Sequence, residues 1–117
     1  MSAAVEALQP TGDCFAAAGR FFLNHRFSDL ADDLVLVHGE VWSKGSGVPP
    51  HGHAWLECGD AVIDPSNGTV NVYPKQAYYR VGNIGENVHR YGFAELRRLM
   101  NESGHYGPWG LVTSTGL

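Results

Sequence analysis

Cys14 is the residue whose type and position most directly suggest covalent chemistry. It follows Thr11, Gly12 and Asp13, which include typical helix-capping residues, and it precedes a stretch of good helix formers. A thiol in the first turn of a helix lies near unpaired backbone N–H groups and the positive end of the helix dipole, which together favour the thiolate. The same N–H groups can stabilise a developing oxyanion. The alternative interpretation is that Cys14 is a small apolar residue packed under a sheet.

A predicted hairpin supplies the groups that would assist such a thiol. Two short apolar runs, residues 53–57 and 61–64, flank Gly59-Asp60, and this pattern predicts two strands joined by a two-residue turn. In that register His53 and Asp64 lie on the same face, diagonal to one another. A carboxylate there can accept the imidazole Nδ1–H and leave the other ring nitrogen free as a base. A change of one residue in the turn would move Asp64 to the opposite face.

The acid and the histidines also have other interpretations. Asp64 begins Asp-Pro-Ser-Asn-Gly, which is a good turn sequence in its own right. His51 and His53 form an H-x-H pair, which on a strand would bind a metal together with His38 or Cys58. The glycine and prolines beside His51 favour a loop position for it instead. We therefore expect no metal and no other cofactor.

The elements that must position these residues follow from the hydrophobic pattern. Helical spacing of Phe15, Ala18 and Phe22 predicts a largely buried helix, and Gly19 within it suggests close packing against a neighbour. One helix, a mostly antiparallel sheet and a further helix indicate an α+β architecture. The predicted elements are a helix over 14–24, a strand within 30–42, a loop over 44–50, strands over 53–57, 61–64 and 69–73, a short helix over 74–79, a strand over 86–91 and a helix over 93–100 closed by Ser103-Gly104.

Composition limits the function classes. The 117 residues, 44% of them hydrophobic and 17% charged, predict one domain spanning residues 1–117. A net charge of −4, with no basic run beyond Arg97-Arg98, argues against binding to nucleic acid. No stretch resembles a signal peptide or a transmembrane span, so we expect no membrane association and a cytoplasmic location, where Cys14 and Cys58 are reduced.

Four segments resemble the core of the transglutaminase-like branch of papain-fold proteins. In that superfamily a cysteine at a helix start is followed by a strand beginning His-Ala-Trp-Val-Glu and by a strand ending in Asp-Pro-Thr or similar. The resemblance covers about residues 12–67, although Phe15 stands where many members have Trp and the chain is shorter than most relatives of known reaction. The segments are Gly12-Asp13-Cys14-Phe15, Val37-His38-Gly39-Glu40-Val41, His53-Ala54-Trp55-Leu56-Glu57 and Val62-Ile63-Asp64-Pro65-Ser66.

This resemblance implies a fold and a set of roles. The fold would be a papain-like core, in which an N-terminal helix carrying the cysteine packs on an antiparallel sheet carrying the histidine and the aspartate. Cys14 would be the nucleophile, His53 the general base and acid, and Asp64 the orienting carboxylate. Gln9 invites comparison with the oxyanion-hole glutamine of papain-like proteases, and Trp55 is a further candidate for contact with substrate.

The leading hypothesis is a thiol-dependent hydrolase or acyltransferase. Cys14 would attack an amide, peptide or ester carbonyl, and water or an amine would resolve the thioester. The substrate would be a peptide, a protein or a small amide. One alternative is a non-catalytic peptide- or protein-binding module in which exposed aromatic residues such as Tyr78, Tyr79 and Trp109 dominate affinity. The other is a small metal-binding protein that uses His51 and His53.

The sequence predicts that the two thiols differ in reactivity. Cys14 is placed at a helix start near an imidazole, whereas Cys58 is placed beside a hairpin turn with no evident activating partner. At mildly acidic pH, iodoacetamide should label Cys14 much faster than Cys58 in the folded protein, as measured by peptide mass spectrometry. His53→Ala should slow this labelling because it removes the cationic partner of the thiolate, and Asp64→Asn should slow it less.

Cys58→Ala is the matched control and should leave the labelling of Cys14 unchanged. Equal labelling of both thiols, or no effect of His53→Ala, would show that Cys14 is merely packed in the core.

Overall fold

The computed structural model describes residues 13–25, 33–42, 49–66 and 68–114. Gln9 and the predicted capping residues Thr11 and Gly12 lie outside these ranges. The described residues form three helices and five strands, so the predicted α+β class is confirmed. The elements are α1 (Asp13–Asn24), β1 (Leu34–Val41), β2 (His51–Cys58), β3 (Ala61–Asp64), β4 (Asn71–Pro74), α2 (Lys75–Val81), β5 (Val88–Tyr91) and α3 (Phe93–Ser103).

The strands form one antiparallel sheet in the order β4-β3-β2-β1-β5. The predicted hairpin is confirmed in its register, because Leu56 pairs with Ile63 and Cys58 pairs with Ala61. Its turn contains Gly59 at a φ of 60°, a left-handed conformation that glycine adopts without strain. The register places His53 and Asp64 on one face of the sheet, as the sequence predicts.

The two faces of the sheet are covered by different helices. Helices α1 and α3 pack on one face, where Phe22, Leu56 and Leu96 belong to the larger apolar cluster. Helix α2 covers the other face, where a smaller cluster is built around Trp55. Because alternate residues of a strand point to opposite faces, β2 contributes to both clusters and lies at the centre of the domain.

Helix α1 approaches its neighbours closely at Gly19. A Cβ atom at this position would collide with the ring of Tyr106, which follows the end of α3. The close packing predicted from Gly19 is therefore confirmed, and it holds the helix that carries Cys14 against the rest of the domain. None of the helices within the described residues is long and apolar enough to cross a bilayer.

His38 is a buried histidine in the middle of β1. Its ring packs edge-on against Phe15, with ring centroids 4.8 Å apart, and also contacts Tyr91 and Trp109. Neither ring nitrogen has a hydrogen-bond partner among the described residues. Burial, with a smaller contribution from the nearby charge of His89, lowers the pKa of His38 to about 4. The ring is therefore neutral at neutral pH.

We expect His38 to make the fold sensitive to acid. Its pKa is about 4 in the folded protein and 6.5 ordinarily, so the unfolded chain binds one more proton between these values. Stability is therefore lost as the pH falls below 6.5. Urea unfolding at pH 7 and pH 5 should show a loss of about 2 kcal/mol in the wild type beyond the loss in His38→Leu. His51→Gln is the control and should follow the wild type; equal losses in wild type and His38→Leu would contradict this assignment.

Candidate active site at the thiol of Cys14

His53 and Asp64 form an ion-paired hydrogen bond between neighbouring strands. Nε2 of His53, on β2, lies 3.1 Å from Oδ2 of Asp64, the last residue of β3. The sequence-based expectation that Nδ1 faces the carboxylate is wrong, because the ring is turned so that Nε2 does so. Nδ1 is consequently the nitrogen left for the thiol.

The Cys14 thiol completes a row of three side chains. Cys14 lies in the first turn of α1, is 5% exposed, and lies close enough to His53 to affect the charge of its ring. Its neighbours in the core lie on the α1 side of the sheet, whereas His53 belongs to the opposite face. Since β3 ends at Asp64, none of its residues pairs with β2 beside His53. The structure thus brings Cys14, His53 and Asp64 together.

Tyr78 is a further member of the site. Its hydroxyl donates a hydrogen bond of 2.7 Å to Oδ2 of Asp64, the same oxygen that binds His53. The backbone N–H of Ser66 donates to Oδ1 at 3.0 Å. Both carboxylate oxygens are therefore held, which fixes the plane of the acid and the direction of the imidazole. The sequence-based interpretation of Tyr78 as an exposed aromatic is wrong, because the side chain is half-buried. No local pattern reveals a contact between residues fourteen positions apart.

The electrostatics of the site favour a charged pair. Burial alone lowers the pKa of His53, but hydrogen bonds to Asp64 and Cys14 and their negative charges outweigh it and raise the pKa to about 9. Burial raises the pKa of Asp64, yet the bonds from His53, Ser66 and Tyr78 hold it well below its usual range. Burial and the Asp64 charge raise the pKa of Tyr78, so the phenol stays a neutral donor.

A second buried carboxylate, Glu57, anchors helix α2 beside the site. It accepts a hydrogen bond of 3.1 Å from Nε1 of Trp55 and another from the hydroxyl of Tyr79. Arg90 and Lys75 pair with its other oxygen at 3.2 and 3.5 Å. Two consecutive tyrosines of α2 therefore bind two carboxylates of the sheet, Tyr79 to Glu57 and Tyr78 to Asp64. This double attachment holds Tyr78 in place.

The role suggested for Trp55 in contacting substrate needs correction. Its side chain is fully buried and its indole N–H is bonded to Glu57, so the ring presents no surface to a ligand. It packs instead beneath His53 and Tyr78, with ring centroids 6.0 and 5.3 Å away. The large apolar ring supports the site from below. Gln9, the other secondary candidate, lies outside the described residues.

The metal site suggested for His51 and His53 is not assembled by the fold. His38 pairs with Ala54, and directly paired residues share a face, so His38 lies on the face opposite His53. Cys58 also lies on the face opposite His53, because successive residues of a strand point to alternate faces. Within the described ranges no three His, Cys, Asp or Glu side chains are grouped to hold a metal ion. The metal interpretation with His38 or Cys58 as third ligand is therefore wrong.

The two cysteines are both free but differ in setting. Cys14 is buried beside His53, whereas Cys58 is partly exposed at the end of β2. The register also puts Cys58 on the face away from His53 and Asp64. The structure thus brings one thiol to the imidazole and leaves the other apart from it.

A cavity adjoins the imidazole on the α2 side of the sheet. Its volume is about 380 Å³, within the range of small-molecule pockets. The residues that line it come from the end of β1, from β2 and β4, and from α2 and the turn after it. They are Val41, His51, His53, Tyr73, Ala77, Tyr78, Val81 and Gly82.

Comparisons with known proteins assign no family to this chain. A scan against protein-family models found no match, and searches among curated proteins and solved structures found none either. The transglutaminase-like resemblance stays a prediction that rests on the four sequence segments that carry it.

We expect the charge of His53 to depend on both neighbours. Its ring should titrate near pH 9 in the wild type, followed by the NMR shift of the imidazole Cε1 proton. Asp64→Asn and Cys14→Ala should each move the midpoint down toward the ordinary value of 6.5, because each removes a hydrogen bond and a negative charge that favour the imidazolium.

Cys58→Ala is the matched control for loss of a thiol and should leave the midpoint of His53 where it is. A midpoint that is unchanged in Asp64→Asn and Cys14→Ala would contradict the contribution of these two neighbours to the pKa of His53.

Proposed function

We propose that the protein is a thiol-dependent hydrolase or acyltransferase acting on an amide or ester carbonyl. The observation that carries this proposal is the grouping of three side chains, in which His53 is hydrogen-bonded to Asp64 and interacts with Cys14. A thiol at a helix start, an imidazole and a carboxylate that orients it are groups that serve nucleophilic acyl transfer. Papain-like or transglutaminase-like membership remains part of the proposal.

In the first half of the reaction, Sγ of Cys14 attacks the carbonyl carbon as the thiolate. The carbonyl oxygen becomes an oxyanion near the backbone N–H groups of the first turn of α1. The intermediate then collapses, the bond to the leaving group breaks, and the His53 imidazolium gives that group its proton. The product is a thioester on Cys14 and a neutral amine or alcohol.

In the second half, the same histidine acts as a base. Part of what raises the pKa of His53 to about 9 is its hydrogen bond with Cys14 and the charge on that sulfur. Acylation removes both contributions, so the pKa of the ring falls toward neutrality. The imidazole then takes a proton from water or an amine, which attacks the thioester and releases an acid or an amide. The proton taken up leaves His53 as the imidazolium paired with the regenerated thiolate.

The binding-module alternative has less support. It relied on exposed aromatic side chains, but Tyr78, Tyr79 and Trp109 are half-buried. Their polar atoms are hydrogen-bonded within the chain, to Asp64, Glu57 and Ser103 respectively.

A reduced thiol is required for the proposed reaction, which suits a reducing compartment such as the cytoplasm.

Acylation by an activated ester tests the proposal. With para-nitrophenyl acetate, the protein should release a burst of one nitrophenolate per chain and gain the mass of one acetyl group on Cys14, as measured by stopped flow and intact-mass analysis. Cys14→Ala should abolish both signals. His53→Ala should slow the burst by about 100-fold or more, because it removes the acid–base group.

Cys58→Ala controls for reaction at the other thiol and should keep the full burst. Acetylation that survives in Cys14→Ala, or that depends on Cys58, would rule out Cys14 as the nucleophile.

A further inference from the structure

The cavity beside the imidazole of His53 lies on the α2 side of the sheet, whereas the thiol lies on the α1 side. His53 and Tyr78 form part of its wall, whereas Cys14 is not among the described residues that line it. The thiol approaches from α1, and the cavity opens toward α2 on the other face of the sheet. A substrate with its carbonyl at Cys14 would therefore extend past the imidazole to enter this cavity.

The wall of the cavity is apolar apart from imidazole and phenol groups. None of its described lining residues is Lys, Arg, Asp or Glu. The hydroxyl of Tyr78 is already bonded to Asp64, so its ring is the surface that remains. Val81, 78% exposed, and Tyr73, 40% exposed, add apolar surface at the mouth. The imidazolium of His53 is already paired with Asp64. A further charged group would therefore lose its hydration here with no carboxylate, ammonium or guanidinium among the described lining residues to compensate.

We propose that this cavity receives an uncharged, apolar part of the leaving group, and in acyl transfer the corresponding part of the amine acceptor. This inference rests on the proposed function. The acyl carbon bonds to Sγ of Cys14, while the leaving atom takes its proton from His53 and must lie against the ring. The incoming nucleophile gives its proton to the same ring, so it occupies the same place. The substrate class is esters or amides of apolar alcohols or amines.

The size of the cavity sets the length of the group. A water molecule takes about 30 Å³ in the liquid, so 380 Å³ corresponds to about a dozen groups of that size. A phenyl ring with a short alkyl chain is of this size. Each methylene buried should speed acylation by about three- to fourfold until the cavity is full.

Two ester series test this inference. In the first, para-alkylphenyl acetates from methyl to butyl share one acyl group and release phenols of nearly equal acidity. In the second, para-nitrophenyl esters from acetate to hexanoate share one leaving group. The rate of Cys14 acylation should rise about three- to fourfold per methylene in the first series and change little in the second.

Two variants locate the effect. Ala77→Leu fills the cavity and should abolish the gain from the longer alkylphenyl groups. Val81→Asp puts a charge at the exposed mouth and should reduce the gain without disturbing the core. Gln76→Leu is the matched control, because Gln76 is exposed on the same helix and does not line the cavity. It should keep the wild-type dependence.

The possible results separate a failure of the cavity inference from a failure of the proposed function. Acylation of Cys14 that is insensitive to the leaving group, that rises only in the acyl series, or that is fastest with para-carboxyphenyl acetate would overturn the inference and leave the proposed function standing. A lack of acylation at Cys14 with every ester would overturn both. A leaving-group gain lost in Ala77→Leu and kept in Gln76→Leu would establish the cavity as its source.

Discussion

The rest of the site depends on the hydrogen bonds that the Asp64 carboxylate accepts. It accepts hydrogen bonds from His53 on β2, from the backbone of Ser66 after β3 and from Tyr78 on α2. One partly buried charge therefore joins two strands, a turn and a helix at a single point. Even a partly buried carboxylate is costly unless it is hydrogen-bonded, and here both oxygens have donors. The same bonds that stabilise the fold also orient the imidazole.

The attachment of α2 links the Asp64–His53 pair to the cavity. Glu57 binds Tyr79 and Asp64 binds Tyr78, so the helix is held at two consecutive residues. The ring of Tyr78 then forms part of the cavity wall while its hydroxyl supports the acid. Removing either carboxylate would take away the acceptor of one tyrosine hydroxyl and loosen the wall. Orientation of the base and shape of the pocket thus have a common structural origin.

His38, which is buried, and His53, which is partly buried, show how surroundings set the charge of one side-chain type. His38 lies among Phe15, Tyr91 and Trp109 with no polar partner in the described residues, and its pKa is lowered to about 4. His53 is also desolvated, but its interactions with Asp64 and Cys14 raise its pKa to about 9. Their strands are adjacent and their rings face opposite sides of the sheet. Alternation along the strands therefore separates a packing histidine from one suited to proton transfer.

The sequence by itself determined the features that depend on short-range patterns. The turn at Gly59 and the alternation of its flanking strands set the hairpin register, which put His53 and Asp64 on one face. Helical spacing defined α1, and Cys14 fell in its first turn. Only the tertiary structure decided which ring nitrogen of His53 meets Asp64 and that Trp55 is buried. It also decided the hydrogen bond from Tyr78 and the cavity against α2. These features depend on how a helix distant in sequence docks on the sheet, and no local spacing of residues encodes that docking.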